Sequence, residues 1–174
     1  MSHKKLIVCV CRGNILRSAV AEKLISQQLI KQGIRTDYRV ISRSIQGTII
    51  DHKPVRFPNI TYYGEVYHRV KPLLEELNVD LSGHISTPID YPTTAKASLI
   101  LAMDNRTLKS LNLLFPYHQH KIYLFTEIIN LNKDVNDVPY RTKPTYSIKT
   151  VKEINSILTN GLGQILSLAQ RVKY

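Results

Sequence analysis

No apolar run in this chain is long enough to cross a membrane, which excludes a helical membrane span. The first ten residues are basic and then apolar, but they lack the length and cleavage pattern of a signal peptide and read instead as a first strand. Only two cysteines occur, Cys9 and Cys11, and two residues apart on a strand they fit disulfide geometry poorly; a reducing, cytoplasmic setting is expected. Acidic residues are scarce, 13 Asp and Glu against 24 Lys and Arg, and the resulting net charge of +11 implies acidic partners: a phosphorylated substrate, an acidic peptide surface or nucleic acid. The basic residues are scattered singly, and no helix-turn-helix, zinc-finger or RNA-binding signature accompanies them, so specific nucleic-acid recognition is not expected. Linkers, repeats and low-complexity segments are also missing. With 174 residues, 43% of them hydrophobic and 21% charged, the expectation is one folded domain over 1–174.

Apolar runs stand at Lys5–Val10, Tyr38–Ser42, Ser98–Met103 and Lys121–Phe125. They are continuous rather than alternating, as expected of strands buried on both faces. Helical spacing separates them. Ala21, Leu24, Ile25 and Leu29 share a face, with Gly33 as a stop. Val70, Leu73, Leu74 and Leu77 repeat the pattern, with Pro72 expected near the start of that helix. Leu108, Leu111 and Phe115 form a third helix; Val151, Ile154, Leu158, Ile165 and Ala169 form a last one, which Gly161 and Gly163 are expected to bend or break. Strands alternating with helices predict a parallel sheet with right-handed crossovers. Residues 45–65 are irregular and read as a variable loop at the rim of a site.

Between the first apolar run and the first helix stands Cys11-Arg12-Gly13-Asn14-Ile15-Leu16-Arg17-Ser18, a C-x5-R-S string. A loop in that position points its backbone N–H groups and the helix N-terminus at one place, which favours an anion. The same field favours the thiolate of Cys11. Gly13 permits a turn that a Cβ would obstruct, and Asn14 tolerates left-handed backbone. Arg17 offers a planar fork matched to two phosphoryl oxygens, and Ser18 can donate to the Cys11 sulfur or cap the helix. C-x5-R alone is a weak signal; its placement between strand and helix strengthens it. His118 and His120 have no cysteine or carboxylate at ligand spacing, so a metal site is not expected; they read as an exposed loop before a strand.

The string Val8 to Glu22, VCVCRGNILRSAVAE, resembles the opening of the low-molecular-weight protein tyrosine phosphatase family. Val40-Ile41-Ser42, Leu74 to His84 (LEELNVDLSGH) and Leu99 to Asp104 (LILAMD) resemble further family landmarks, in the family's order and over most of the chain. The resemblance implies a three-layer α/β/α fold around a four-stranded parallel sheet of order 2-1-3-4, with the phosphate-binding loop after strand 1. It implies Cys11 as nucleophile and Arg17 as the phosphoryl clamp. Arg12, Gly13, Asn14, Ile15, Leu16, Ser18 and Tyr140 would bind substrate or phosphate, and Ser42 and His84 would hold the Asn14 and Ser18 side chains in a hydrogen-bond network. Many members carry a second cysteine in the loop, where this chain has Leu16. Relatives acting on phosphoarginine carry Thr where this chain has Ile15, at a position facing the substrate, so Ile15 favours phosphotyrosine. Arg12 stands where the family has a small or apolar residue, and either binds an acidic substrate or is simply solvated. Tyr62 and Tyr63 are further candidates for the mouth of the site.

A phosphotyrosine leaving group must be protonated as it departs, so a carboxylic acid is needed beside the loop. The family places an Asp in a D-P-aromatic loop before the last helix. Asp137 is the match, with Asp134 as the alternative, and Val138 stands where the family has Pro. The expected activity is metal-free and cofactor-free hydrolysis of a phosphotyrosine protein or small aryl phosphate, by a monomer or weak dimer without a membrane partner. Arsenate reduction on the same fold is one alternative, although no cysteine follows Cys11 to complete a thiol relay. A phosphoprotein-binding module that has lost catalysis is the other.

Overall fold

The first strand, β1 (Lys5–Cys11), forms the centre of a parallel sheet ordered β2-β1-β3-β4, the other strands being β2 (Tyr38–Ser44), β3 (Ala97–Ala102) and β4 (Ile122–Leu124). This computed structural model describes residues 4–51, 58–138 and 145–171. Alternate side chains of β1 go to opposite layers. Ile7, Cys9 and Cys11 join the larger apolar cluster, which is completed by α1 (Arg17–Lys31), α2 (Gly64–Glu76) and α5 (Tyr146–Arg171). Val8 and Val10 join a smaller cluster with Ile100, Ile122 and residues of α4 (Asn105–Leu114). The expected three layers and strand order are therefore present. Among the described residues no helix is long and apolar enough to cross a membrane.

Each strand lies within two residues of its predicted bounds. Gly33 has φ +70° and follows Gln32, the C-terminal cap of α1, as a helix stop should. Three local expectations change. A short helix, α3 (Tyr91–Lys96), precedes β3, started by Asp90, whose carboxylate accepts the Thr93 N–H at 2.7 Å. Pro72 lies inside α2, not near its start, because the helix begins eight residues earlier at Gly64. His118 and His120 fall in a 3₁₀ helix, Pro116–Lys121.

The fourth change concerns α5, which runs unbroken through Gly161 and Gly163. Gly161 is buried against the segment after β4: a Cβ there would lie 2.6 Å from Ile128 Cγ1, whereas a Cβ at Gly163 meets nothing within 4 Å. The first glycine is thus a packing requirement, and the second is exposed. Helix propensity alone makes both Gly→Ala changes stabilising by about 1 kcal/mol. Gly163→Ala should follow that rule, while Gly161→Ala should instead lose about 1–2 kcal/mol to overpacking. Urea denaturation of the two variants checks this; two shifts of the same sign would refute the packing argument.

The sheet's topology places the C-terminal ends of β1 and β3 side by side, at the point where the chain's strand order reverses. Ligands bind such folds there. The segment after β2 returns to the same place. Ile45 N–H donates to Cys11 O at 3.1 Å and Gln46 N–H to Arg12 O at 2.9 Å, so residues 45–51 lie against the loop that follows β1.

Candidate active site

Cys11 ends β1 and is buried. Its sulfur contacts Ser18 Oγ at 3.1 Å and accepts the Asn14 backbone N–H at 3.1 Å. The loop closes around it because its outward-facing carbonyls are tied elsewhere. Ser86 Oγ donates to Gly13 O at 2.6 Å, and His84 Nε2 donates to Asn14 O at 2.6 Å. In a trans peptide the N–H points opposite the C=O. Fixing the carbonyls of Gly13 and Asn14 outward therefore aims the N–H groups of Asn14 and Ile15 inward. The Asn14 side chain braces the loop from both ends: Nδ2 donates to Ser18 Oγ at 3.0 Å, and Oδ1 accepts the Thr87 N–H at 3.1 Å.

The turn's conformational demand falls on Asn14, at φ +51°, rather than on Gly13. A Cβ at Gly13 would stand 3.3 Å from Ile15 Cδ1, a tight but local contact. Beyond the loop, α1 begins with Leu16 at its N-cap; among the described residues no side chain caps it, and its first turn holds no acidic residue. Its N-terminal donors are therefore left available to an anion.

Arg17 is buried and anchored from three directions. Nη1 donates to Asp104 Oδ2 at 2.5 Å and to Val135 O at 3.0 Å, while Nη2 lies 3.0 Å from Asp137 Oδ1. Burial pulls the Arg17 pKa down, but the charges of Cys11, Asp137 and Asp104 outweigh it, and the guanidinium is held above its ordinary value. Burial likewise opposes ionisation of Asp104; Arg17 and the Thr107 N–H at 2.6 Å overcome it, and the carboxyl sits below the usual range. Asp104 thus caps α4 with one oxygen and holds Arg17 with the other.

A ladder of backbone bonds fixes the acid loop. Met103 N–H donates to Val10 O at 2.9 Å, and Val135 N–H to Met103 O at 2.9 Å. Val135 and Val138 are buried in the larger cluster on either side of Asp137, whose side chain is exposed. Val138 N–H donates to Asp137 Oδ1 at 2.9 Å, a bond that proline could not make. Asp134 is engaged elsewhere: Oδ1 accepts the Asn105 N–H at 2.7 Å and Asn105 Nδ2 at 2.8 Å.

The structure thus brings together Cys11, Asn14, Arg17, Ser18, His84 and Asp137. Two sequence-based expectations change, those for Ser42 and His84. Ser42 takes no part in the Asn14–Ser18 network; its hydroxyl donates to Glu22 Oε2 at 2.5 Å, because on β2 it faces α1 rather than the loop. His84 does reach the loop, but through a backbone carbonyl and not a side chain. Ile15 and Leu16 are buried in the larger apolar cluster, which Cys11 also joins. Tyr62 is exposed on a 3₁₀ helix and Tyr63 packs partly on the core. Tyr140 lies outside the described residues. Arg12 points from the loop toward Asp51, 3.7 Å away. Cys9 is fully buried, and burial, Glu22 and Cys11 push its thiol pKa up; both cysteines are free.

Asp104, Ser86 and Thr87 carry functions the sequence reading did not assign. A signal existed for Asp104, a carboxylate two residues after the strand beside β1. Ser86 and Thr87 reach the loop only through tertiary contact and have no such signal.

A family model described as low molecular weight phosphotyrosine protein phosphatase matches residues 6–172. Similar solved structures include a low molecular weight protein tyrosine phosphatase from T. tengcongensis, at 24% identity and TM-score 0.72 over 94% of this chain and 99% of that one. YwlE from Bacillus subtilis has 23% identity and TM-score 0.71 over 94% and 99%. Wzb from Vibrio vulnificus, in complex with benzylphosphonate, has 22% identity and TM-score 0.69 over 93% and 99%. No curated protein sequence matches the chain significantly.

Proposed function

Because the chain belongs to the low molecular weight phosphotyrosine protein phosphatase family, we propose that it hydrolyses phosphotyrosine through a phosphocysteine intermediate. The observation that carries this reading is Arg17, buried, electrostatically coupled to Cys11 and 3.0 Å from the exposed Asp137. The incoming phosphoryl group displaces Asp137 from Nη2 and takes the guanidinium and the inward N–H groups as partners for its equatorial oxygens. The Cys11 thiolate attacks phosphorus in line with the leaving oxygen, forming the S–P bond as the P–O bond breaks. Asp137, released from Arg17, takes up a proton from solvent and passes it to that oxygen. Water then attacks the phosphocysteine, Asp137 takes the water's proton, and inorganic phosphate leaves as the thiolate is restored. Ser18 and the Asn14 N–H, already on the sulfur, stabilise the thiolate as leaving group. A reducing cytoplasm suits a nucleophile that works only as thiolate.

A solved YwlE structure is described as an arginine phosphatase, so the leaving group needs its own test. The buried Ile15 brings no hydroxyl to this loop, which supports phosphotyrosine over phosphoarginine. Arsenate reduction has little support, since Cys9 is sealed in the core with a raised thiol pKa and is a poor resolving thiol.

The test is turnover, in the presence of EDTA, of a nitrophenyl phosphate, a phosphotyrosine peptide and a phosphoarginine peptide. Asp137→Asn should lower kcat on the phosphotyrosine peptide by about 10²–10³-fold. It should lower nitrophenyl phosphate turnover far less, because that leaving group departs without a proton. An equal loss on both substrates would remove Asp137 from the acid role. Turnover of phosphoarginine alone would overturn the substrate assignment.

A further inference from the structure

Beside the phosphate loop lies a groove of about 240 Å³, lined among others by Arg12, Asp51, Asp104, Arg106, Thr107 and Asp137. Its charges are unevenly satisfied. Asp104 and Asp137 both sit on Arg17. Arg12 faces Asp51 at 3.7 Å, beyond hydrogen-bond reach, with its side chain well exposed. Arg106, the second residue of α4, is exposed and among the described residues makes no ion pair or side-chain hydrogen bond. Among the described residues the groove therefore presents one cation without an internal partner and a second held by a loose, replaceable one, next to the place where a phosphoryl group would sit.

We propose that Arg106, with Arg12, forms an anion subsite that selects substrates bearing carboxylates beside the phosphorylated residue, that is, acidic phosphopeptides. This rests on the phosphatase reading above. The groove, about 240 Å³, has room for a flanking side chain while the phosphoryl group occupies the loop. A Glu or Asp carboxylate entering it meets the Arg106 fork, with the Thr107 and Ser110 hydroxyls on the same wall. Such a group takes over Arg12 from Asp51. Asp51 is thereby a competitor that occupies the subsite when no acidic substrate is present.

The test uses Cys11→Ser protein and fluorescent phosphotyrosine peptides, one with Glu flanking the phosphotyrosine and one with Gln, read by anisotropy at low salt. An exposed ion pair is worth up to about fivefold. The Glu peptide should bind about three- to tenfold tighter, and 0.5 M salt should erase the difference. Adding Arg106→Gln should cut the ratio by about half or more, leaving what Arg12 supplies, while Asp51→Asn should raise it. Lys152→Gln, a charge removed from the exposed side of α5, should leave it unchanged; this separates the subsite from the general pull of a net charge of +11. Equal binding of the two peptides, binding of neither, a preference undiminished by Arg106→Gln, or an equal loss with Lys152→Gln would each overturn the subsite. Failure of the phosphatase reading shows separately, as absence of nitrophenyl phosphate and phosphotyrosine turnover by the unsubstituted protein.

Discussion

Cys11→Ser is expected to cut turnover of nitrophenyl phosphate by more than about 10⁴-fold while leaving the fold and phosphate binding in place. The reason is local. A serine oxygen can keep both contacts that the sulfur makes, the Ser18 hydroxyl at 3.1 Å and the Asn14 N–H at 3.1 Å. The loop itself is held from outside by Ser86, His84 and Thr87, none of which touches the sulfur. What the substitution removes is the nucleophile: a hydroxyl at neutral pH is almost wholly protonated and weakly nucleophilic without an adjacent base. Among the described residues no such base contacts Cys11. Inorganic phosphate should bind the variant within about threefold of the original protein, since the donors from the loop, Arg17 and α1 are untouched. Steady-state rates and calorimetric titration with phosphate supply the two readings. A variant that retained a tenth of the rate would show that water, not Cys11, attacks phosphorus. A variant that lost phosphate binding along with turnover would show that the thiolate is needed to build the loop.

How far these features can be read from sequence depends on how local they are. The strand–loop–helix device at Cys11 to Ser18 is legible because every donor aimed at the anion comes from eight consecutive residues or the helix they open. The sheet is legible for a similar reason where its strands are buried on both faces: β1 and β3 stand out as continuous apolar runs, whereas β2, YRVISRS at the sheet edge, alternates buried with more exposed residues and gives a weaker signal. What escapes depends on packing between distant segments. Ser42 and Ser86 look alike as loop or strand serines, yet one bonds Glu22 on α1 and the other closes the phosphate loop through Gly13 O. No spacing distinguishes them. Gly161 reads as a helix breaker by propensity and proves to be a contact with Ile128, because propensity is a small term beside close packing. Gly13 draws attention as the flexible residue of the loop, although Asn14 adopts the left-handed backbone and also holds Ser18 and Thr87. Asp104 ends a strand-like run in sequence and becomes an anchor only when β1 and β3 are neighbours.

That anchor leads to the second large effect. Arg17→Lys, which keeps the charge, should still lower kcat by about 10³-fold and weaken the fold as well. Arg17 uses separate nitrogens for separate tasks: Nη1 is committed to Asp104 at 2.5 Å and Val135 O at 3.0 Å, and Nη2 faces Asp137 at 3.0 Å, where the phosphoryl group would arrive. A lysine ammonium is a single point of charge and cannot hold the Asp104–Val135 side while presenting two donors to a phosphoryl group. If it stays on Asp104, the transition state loses its clamp; if it follows the phosphate, Asp104 is left largely buried without its cation, at a cost of several kcal/mol. Asp104 would then favour protonation, and since its depressed pKa contributes stability only above the unfolded-state carboxylate range, that contribution is lost at neutral pH. The variant should therefore narrow its stability gap to the original protein as pH falls toward the carboxylate range, because the original loses the Asp104 contribution there too. Urea midpoints at pH 7 and pH 4, read beside kcat, separate the two roles. A variant as stable as the original at both pH values but slow would confine Arg17 to catalysis. One that is less stable at pH 7 but turns over at the original rate would make it a structural residue only.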